Sequence, residues 1–179
     1  MEHVILVDES DRPVGVMEKM EAHRHAVLHR AFSVFIFNSG GEMLLQQRAP
    51  GKYHSAGLWT NACCSHPRPG EDTREAACRR LREELGFTTG LEKLFEFTYR
   101  TAYDNGLTEF EFDHVFVGTY DQDILPDRAE VSDYRYRSLP EIEAELLSTP
   151  EAFTSWFHLA FPLLKEKIRL LPAYSQRFR

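Results

Sequence analysis

Residues 59–71 read WTNACCSHPRPGE, setting two adjacent cysteines beside a histidine, a proline-flanked turn and a glutamate. A thiol pair offers four chemistries: a disulfide, a metal site, a nucleophile or a proton donor. The chain has three cysteines, Cys63, Cys64 and Cys78, which cannot all pair with one another. Adjacent cysteines do not easily ligate one ion, and no second pair completes a structural zinc site. Further along, Glu109 and Glu111 stand at i and i+2 in EFEFDH. On a strand they point to one face while Phe110 and Phe112 take the other. Neighbouring carboxylates repel unless a cation lies between them or one is protonated, or unless both are simply solvated.

Histidines are the natural companions of such a pair. His23, His25 and His29 cluster in the N-terminal region, and His66 lies in the cysteine stretch. Neutral imidazole ligates Mn, Fe, Co or Zn. Three histidines and two glutamates would make a five-ligand set with one position open, although each histidine alone reads first as a surface or capping residue. Lys19, Arg48, Lys52 and Arg80 come from four separated segments. Singly they are solvated side chains. Together they suit a diphosphate, which Arg binds bidentately and Lys meets as a point charge. Arg80 and Glu84 also have the spacing of an i,i+4 surface pair.

These residues need elements to position them. HVILVD and PVGVM read as short strands joined by a turn at Glu9 to Arg12, and EKMEAHRHAVLH breaks that pattern. RAFSVFIF, the turn NSGGE and MLLQQR read as a hairpin, followed by a loop-like APGKYHSAGLWTN. Residues 72–86 form the clearest helix, with Asp72 and Glu75 as a capping box and Gly86 as the stop. Its Ala77, Leu81 and Leu85 face the core. LFEFTYRTAY and FEFDHVFVGTY, with DNG between them, predict a long antiparallel hairpin. SLPEIEAELLS and residues 154–171, TSWFHLAFPLLKEKIRLL, predict amphipathic helices, the second interrupted or bent near Pro162. Strands, a helix, strands and then helices predict an α+β fold with a mixed sheet flanked by helices.

Composition bounds the function. At 179 residues the chain predicts a single domain spanning 1–179. Hydrophobic content of 42% and charged content of 27% are those of a soluble globular protein. A net charge of −7 argues against a nucleic-acid partner. No stretch approaches the ~20 apolar residues of a membrane span, and MEHVILVDES lacks a signal-peptide pattern, so the expectation is a cytoplasmic protein. In a reducing cytoplasm a disulfide framework is not expected.

The 72–86 helix and its lead-in resemble the Nudix box, G-x5-E-x7-R-E-U-x-E-E-x-G-U. Ser65, Glu71, Arg79, Arg80, Leu81, Glu83, Glu84, Gly86 and Phe87 occupy its positions. Ser65 replaces the opening glycine and Arg80 replaces a glutamate, so one carboxylate of the hydrolytic Mg2+ face becomes a positive charge. TNACCSHP, LHRAFSVFIFN, MLLQQR and the E-x-E strand further resemble the type 1 isopentenyl diphosphate isomerase family, from about residue 3 to residue 165. That resemblance implies a Nudix-like mixed sheet between helices, a core of about 29–165, and added N-terminal strands and C-terminal helices. It implies that His23, His29, His66, Glu109 and Glu111 hold one Mn2+, Zn2+ or Fe2+, with His25 a rival for the first position. Glu84, with the backbone carbonyl of Cys64, would hold Mg2+ on the diphosphate. Lys19, Arg48, Lys52 and Arg80 would bind the diphosphate. Cys64, Glu111 and Tyr99 would transfer protons, Trp156 would cover the reacting carbons, and Cys63 would pack.

The implied reaction moves a double bond, converting isopentenyl diphosphate to dimethylallyl diphosphate for isoprenoid biosynthesis, in a monomer or weak homodimer. An alkene is a poor base, and protonating it makes a tertiary carbocation that water would quench. Such a site needs an acid, a base and no water between them. Two competing readings are a Nudix diphosphate hydrolase and a non-catalytic diphosphate-binding module.

Overall fold

The computed structural model describes residues 1–170. Nine strands among them join in one mixed sheet. The N-terminal expectation is met by strands β1 (His3–Val7) and β2 (Pro13–Glu18), which pair antiparallel. Helix α1 (Lys19–Arg24) then returns the chain to the sheet, so His23 sits on a short helix rather than at the edge of irregular chain. Strand β3 (His29–Phe37) is the hub, pairing with β1, β6 and β8.

The predicted β3–β4 hairpin is present but short. Strand β4 (Met43–Arg48) meets β3 only at the turn, Phe37 opposite Met43. Its long partner is a strand the sequence reading did not anticipate, β9 (Val131–Arg137), running from Met43 opposite Arg137 to Arg48 opposite Val131. Two short strands interrupt the loop-like region, β5 (Trp59–Thr60) and β6 (Cys63–Ser65). The long hairpin is present as β7 (Glu92–Ala102) and β8 (Thr108–Thr119).

Helix α2 (Thr73–Leu85) is capped at its N-terminus by Asp72, whose carboxylate accepts from the backbone N–H of Arg74 and Glu75. The reciprocal arm predicted for Glu75 belongs instead to α3 (Leu139–Ser148), where Ser138 and Glu141 form the complete capping box. Gly86 ends α2 at φ 77°, and a Cβ there would stand 2.5 Å from the Leu125 carbonyl oxygen, so glycine is required twice over. Helix α4 (Ser155–Ile168) runs through Pro162 without interruption, and the predicted extension to residue 171 lies outside the described residues.

The alternation of β3 builds two cores. Phe32, Val34 and Ile36 pack with Ala77, Leu81 and Leu85 of α2. Phe35 and Phe37 pack on the other face with Trp156, Phe157 and Phe161 of α4. Ser33 shares that second face by the strand's period of two. Val115 and Val117 of β8 join the same α4-side core, which places Glu109, Glu111 and Asp113 on its line. The site therefore sits at one end of the α4-covered face. No helix among the described residues is long and apolar enough to cross a membrane.

Candidate active site

Strand register gathers the polar residues. In the parallel β3–β8 ladder His29 stands opposite Glu111. In the antiparallel β7–β8 ladder Tyr99 is opposite Glu111, and Thr101 opposite Glu109. In the β3–β6 ladder Ser33 is opposite Cys64. Three backbone ladders thus fix the site before any side chain contributes.

Ligand atoms of His23, His29, His66 and Glu111 lie within 4.8 Å of one another, and all four residues are buried. His66 Nε2 is 2.9 Å from Glu111 Oε1, His29 Nε2 is 3.5 Å from it and His23 Nε2 4.0 Å. His23 Nδ1 donates to the Lys19 carbonyl at 2.7 Å, and His29 Nδ1 to that of Val27 at 2.8 Å. A carbonyl can only accept, so each Nδ1 carries a proton and each Nε2 is directed inward, as in metal-ligating histidines. His29 and His66 bring their Nε2 atoms to 3.2 Å, and His23 Nε2 is buried without a hydrogen-bond partner. Imidazole nitrogens directed at a carboxylate, with hydrogens that an ion can displace, fit a divalent ion of the Mn, Fe, Co or Zn type.

The electrostatics agree. Burial, reinforced by His66, lowers the His23 pKa from 6.5 to about 4, keeping the imidazole neutral. Burial lowers His66 as well. Burial would also depress His29, but its hydrogen bond and charge interaction with Glu111 outweigh that and raise it. Burial alone would raise Glu111, but the hydrogen bonds from His29 and His66 hold its carboxyl well below the usual range. His25, the rival ligand, is exposed at the C-cap of α1 and reaches none of this.

Glu109 stands at the margin, grouped with His23 and with His54, a residue the sequence reading did not single out. Its Oε1 is 3.0 Å from His54 Nε2, and its Oε2 accepts from Tyr103 Oη at 2.7 Å. Tyr99 Oη lies 2.7 Å from Glu111 Oε2 and 3.2 Å from Glu109 Oε2, bridging the two carboxylates. Burial and both carboxylates push the Tyr99 phenol well above its ordinary value.

Cys64 has its own network. Its thiol donates to Asn61 Oδ1 at 3.1 Å and lies 3.4 Å from Ser33 Oγ, which donates in turn to Asp113 Oδ2 at 2.7 Å. Burial first, and the Asp113 charge second, raise the thiol's pKa, so it is a protonated acid at neutral pH. Burial and Glu111 likewise raise Asp113. Ser33, Asn61 and Asp113 carried no recognisable spacing. Cys63 is fully buried in the α2-side core, as expected of a packing residue.

One cavity is lined by Cys64, Glu109, Glu111, Tyr99, Arg48 and Trp156, together with Ser33, Tyr53, His54, Ser65 and His66. Arg48 lies over the Trp156 ring at 5.1 Å and donates to the His54 carbonyl. The other predicted cations lie outside that lining, each paired with carboxylate. Lys52 pairs with Glu130. Arg80 meets Glu84 at 2.6 Å, Glu83 at 2.8 Å and Glu130 at 3.6 Å. Lys19 meets Glu2 at 2.5 Å and lies over the Tyr53 ring. Glu84 also accepts from Gln46.

A NUDIX domain model matches residues 27–157. The isopentenyl-diphosphate Delta-isomerase of Pectobacterium atrosepticum is 53% identical over 178 residues, covering 98% of this chain and 94% of that one. That of Burkholderia multivorans is 50% identical over 157 residues, covering 88% and 89%. Among solved structures, DR0079 from Deinococcus radiodurans superposes with a TM-score of 0.76 at 22% identity, covering 94% of this chain and 100% of that one. This last likeness speaks for the fold. With a NUDIX match across most of its length and relatives half identical from end to end, the chain belongs to the isopentenyl-diphosphate Delta-isomerase family of Nudix proteins.

Proposed function

We propose that this enzyme interconverts isopentenyl and dimethylallyl diphosphate by adding a proton at the terminal alkene carbon and removing one from C2. The observation that carries the reading is a half-buried, protonated Cys64 thiol lining one cavity with the Tyr99-bridged Glu111 carboxylate. Acid and base of different kinds on one small cavity suit an allylic proton shift.

Cys64 and Glu111 exchange protons with the substrate, and Tyr99 steadies the Glu111 oxygen it bonds. Trp156 offers its π face to the tertiary cation, a contact of about 2 kcal/mol when desolvated, or some thirtyfold in rate. Larger shares come from positioning and excluded water, which the buried walls supply. His23, His29, His66, Glu109 and Glu111 would hold one Mn2+, Zn2+ or Fe2+, which when bound fixes Glu111 and tunes its proton affinity. Glu84 and the Cys64 carbonyl would hold Mg2+ against the diphosphate. Arg48, Lys52, Arg80 and Lys19 bind its oxygens by exchanging their present carboxylate or aromatic partners for phosphate. Arg80 at a Nudix-box glutamate position favours holding a diphosphate over hydrolysing it. We place the activity in the cytoplasm, in a monomer or weak homodimer that supplies isoprenoid precursors.

The test is a proton NMR time course with isopentenyl diphosphate, Mg2+ and a little Mn2+ or Zn2+ in D2O. The expected result is growth of dimethylallyl methyl signals, with deuterium in the new methyl group. Release of inorganic phosphate instead would return the chain to the hydrolases. Unchanged substrate with folded, metal-loaded protein would make it a binding module.

A further inference from the structure

We propose that His54 is an additional ligand of the metal centre, and that its ligation ties metal occupancy to the diphosphate-binding loop. The inference rests on the metal-site reading above. His54 lies on the segment between β4 and β5, with its side chain 3% exposed. Its ring is held rigidly, stacked on Tyr103 at 4.7 Å and 9° and edge-on to Tyr53 at 4.4 Å. Packing of that kind fixes where the ring nitrogens point.

Its Nε2 is 3.0 Å from Glu109 Oε1, yet it is buried without a hydrogen-bond partner. The two atoms border a common space rather than bonding across it. Neighbouring ligands of a single ion stand in this relation, since bonds of about 2.1 Å at right angles put their donor atoms about 3 Å apart. His23 Nε2 is likewise buried without a hydrogen-bond partner, and a ring nitrogen of His23 lies within 4.8 Å of the His54 and Glu109 donors. Two orphaned imidazole nitrogens beside one carboxylate are costly without a cation.

His23 also belongs to the group of His29, His66 and Glu111. Its Nδ1 is committed to the Lys19 carbonyl, so it has one nitrogen to offer and serves one ion. The two groups share His23 without all six donors lying within 4.8 Å of one another, and an ion that drew them together would have four imidazoles and two carboxylates. His54 fills the position that a five-ligand set leaves open. The ion is then saturated by protein, and substrate oxygens do not reach it. It holds Glu111 in place instead of polarising the substrate directly.

A second consequence follows from the loop. Lys52 is two residues from His54, and the His54 carbonyl accepts from Arg48 Nη2 at 3.1 Å. Ser55, the next residue, holds φ 51°, a conformation a non-glycine keeps only when its surroundings impose it. Ligation of His54 anchors that turn and the two cations beside it. Metal then tightens diphosphate binding, and by linkage diphosphate tightens metal.

The experiment loads wild type, His54→Ala and His54→Gln with Co2+, and titrates each with inorganic pyrophosphate with and without the ion. Wild type is expected to give the weak visible absorption of six-coordinate Co2+. The variants should give the severalfold stronger bands of five-coordination, bind Co2+ at least about a hundredfold more weakly, beyond the cost of losing an outer partner, and lose the metal-dependent gain in pyrophosphate affinity. His54→Gln keeps most of the volume should His54→Ala fail to fold, and circular dichroism of the metal-free forms checks both. Variant spectra and Co2+ affinities equal to wild type would overturn the His54 ligation alone. No Co2+ uptake by wild type would overturn the metal centre itself, and His54 with it.

Discussion

The metal half and the phosphate half of the site handle charge in opposite ways. Around Glu111, buried imidazole nitrogens crowd one carboxylate, and His23 Nε2 has no hydrogen-bond partner. Around Arg80 and Lys52, every cation already has a carboxylate: Glu83 and Glu84 for Arg80, Glu130 for Lys52. In the proposed reading the first region keeps a metal cation. The second holds its positive charges balanced and partly exposed, so that an incoming anion can take the place of a carboxylate. A site that retains an ion while exchanging a substrate needs both arrangements, and the difference tells which residues should respond to which ligand.

The largest expected effect lies at the cavity between the halves. Cys64→Ala should lower turnover about a thousandfold or more, within the usual range for a lost acid or base. Metal content by elemental analysis and pyrophosphate affinity should stay within about threefold of wild type, because neither half uses the thiol. A proportionate fall in all three would mean that Cys64 only holds the cavity open. Next comes Glu111→Gln, which should weaken metal binding by about a hundredfold or more, as removal of a ligand exceeds the cost of losing an outer partner. Pyrophosphate binding in metal-free protein should barely change, and a matched loss there would erase the division between the halves.

Protonation sharpens the same division. The Glu111 carboxylate raises His29 above 6.5 while burial takes His23 down to about 4. Near pH 6.5 metal must therefore displace a proton from His29 but none from His23. Affinity should rise with pH through and above that region, and His23 should begin to oppose binding only as pH nears 4. Calorimetry in buffers of different ionisation enthalpy at pH 6.5 should show a net release of protons, supplied by His29. A count of zero would mean that His29 is already neutral and that Glu111 does not charge it.

How much of this was legible in the sequence depended on whether the signal was local. Helix α2 announced itself through Asp72, Gly86 and the Ala77–Leu81–Leu85 face, and β7–β8 through alternation around DNG. Strand β9 did not, because YRYR alternates aromatics with arginines and leaves most of its side chains half-buried. The shortness of the β3–β4 hairpin was hidden for a related reason. NSGGE is good turn chemistry, but the main partner of β3 is β8, parallel and about 80 residues away, and parallel pairing leaves no local mark. In the site, Glu109 and Glu111 were readable from a spacing of two and the cysteine stretch from its composition. The roles of the histidines came through family resemblance, since only long-range register unites them. His54, Ser33 and Asp113 sit in segments whose local pattern is that of loop or core strand, and their meaning appears only once β3, β6 and β8 are side by side.

The smallest expected effect tests the phosphate half directly. Glu130 pairs with Lys52 and lies 3.6 Å from Arg80, on a side chain that is 28% exposed. Its backbone is held independently, with its carbonyl accepting from Ala49 N–H and its N–H donating to the Asp127 carbonyl. Glu130→Ala should therefore keep the loop in place while removing the carboxylate that competes with phosphate. A partly exposed ion pair is worth about 0.2–1 kcal/mol, so pyrophosphate should bind up to about fivefold more tightly, most clearly at low salt, where screening is weakest. Metal affinity should not move, since Glu130 is not among the metal-capable groups. Weaker pyrophosphate binding would mean that Glu130 orients Lys52 and Arg80 for phosphate instead of competing with it. The phosphate half would then resemble the metal half, a cluster organised around its own charges rather than one waiting to exchange them.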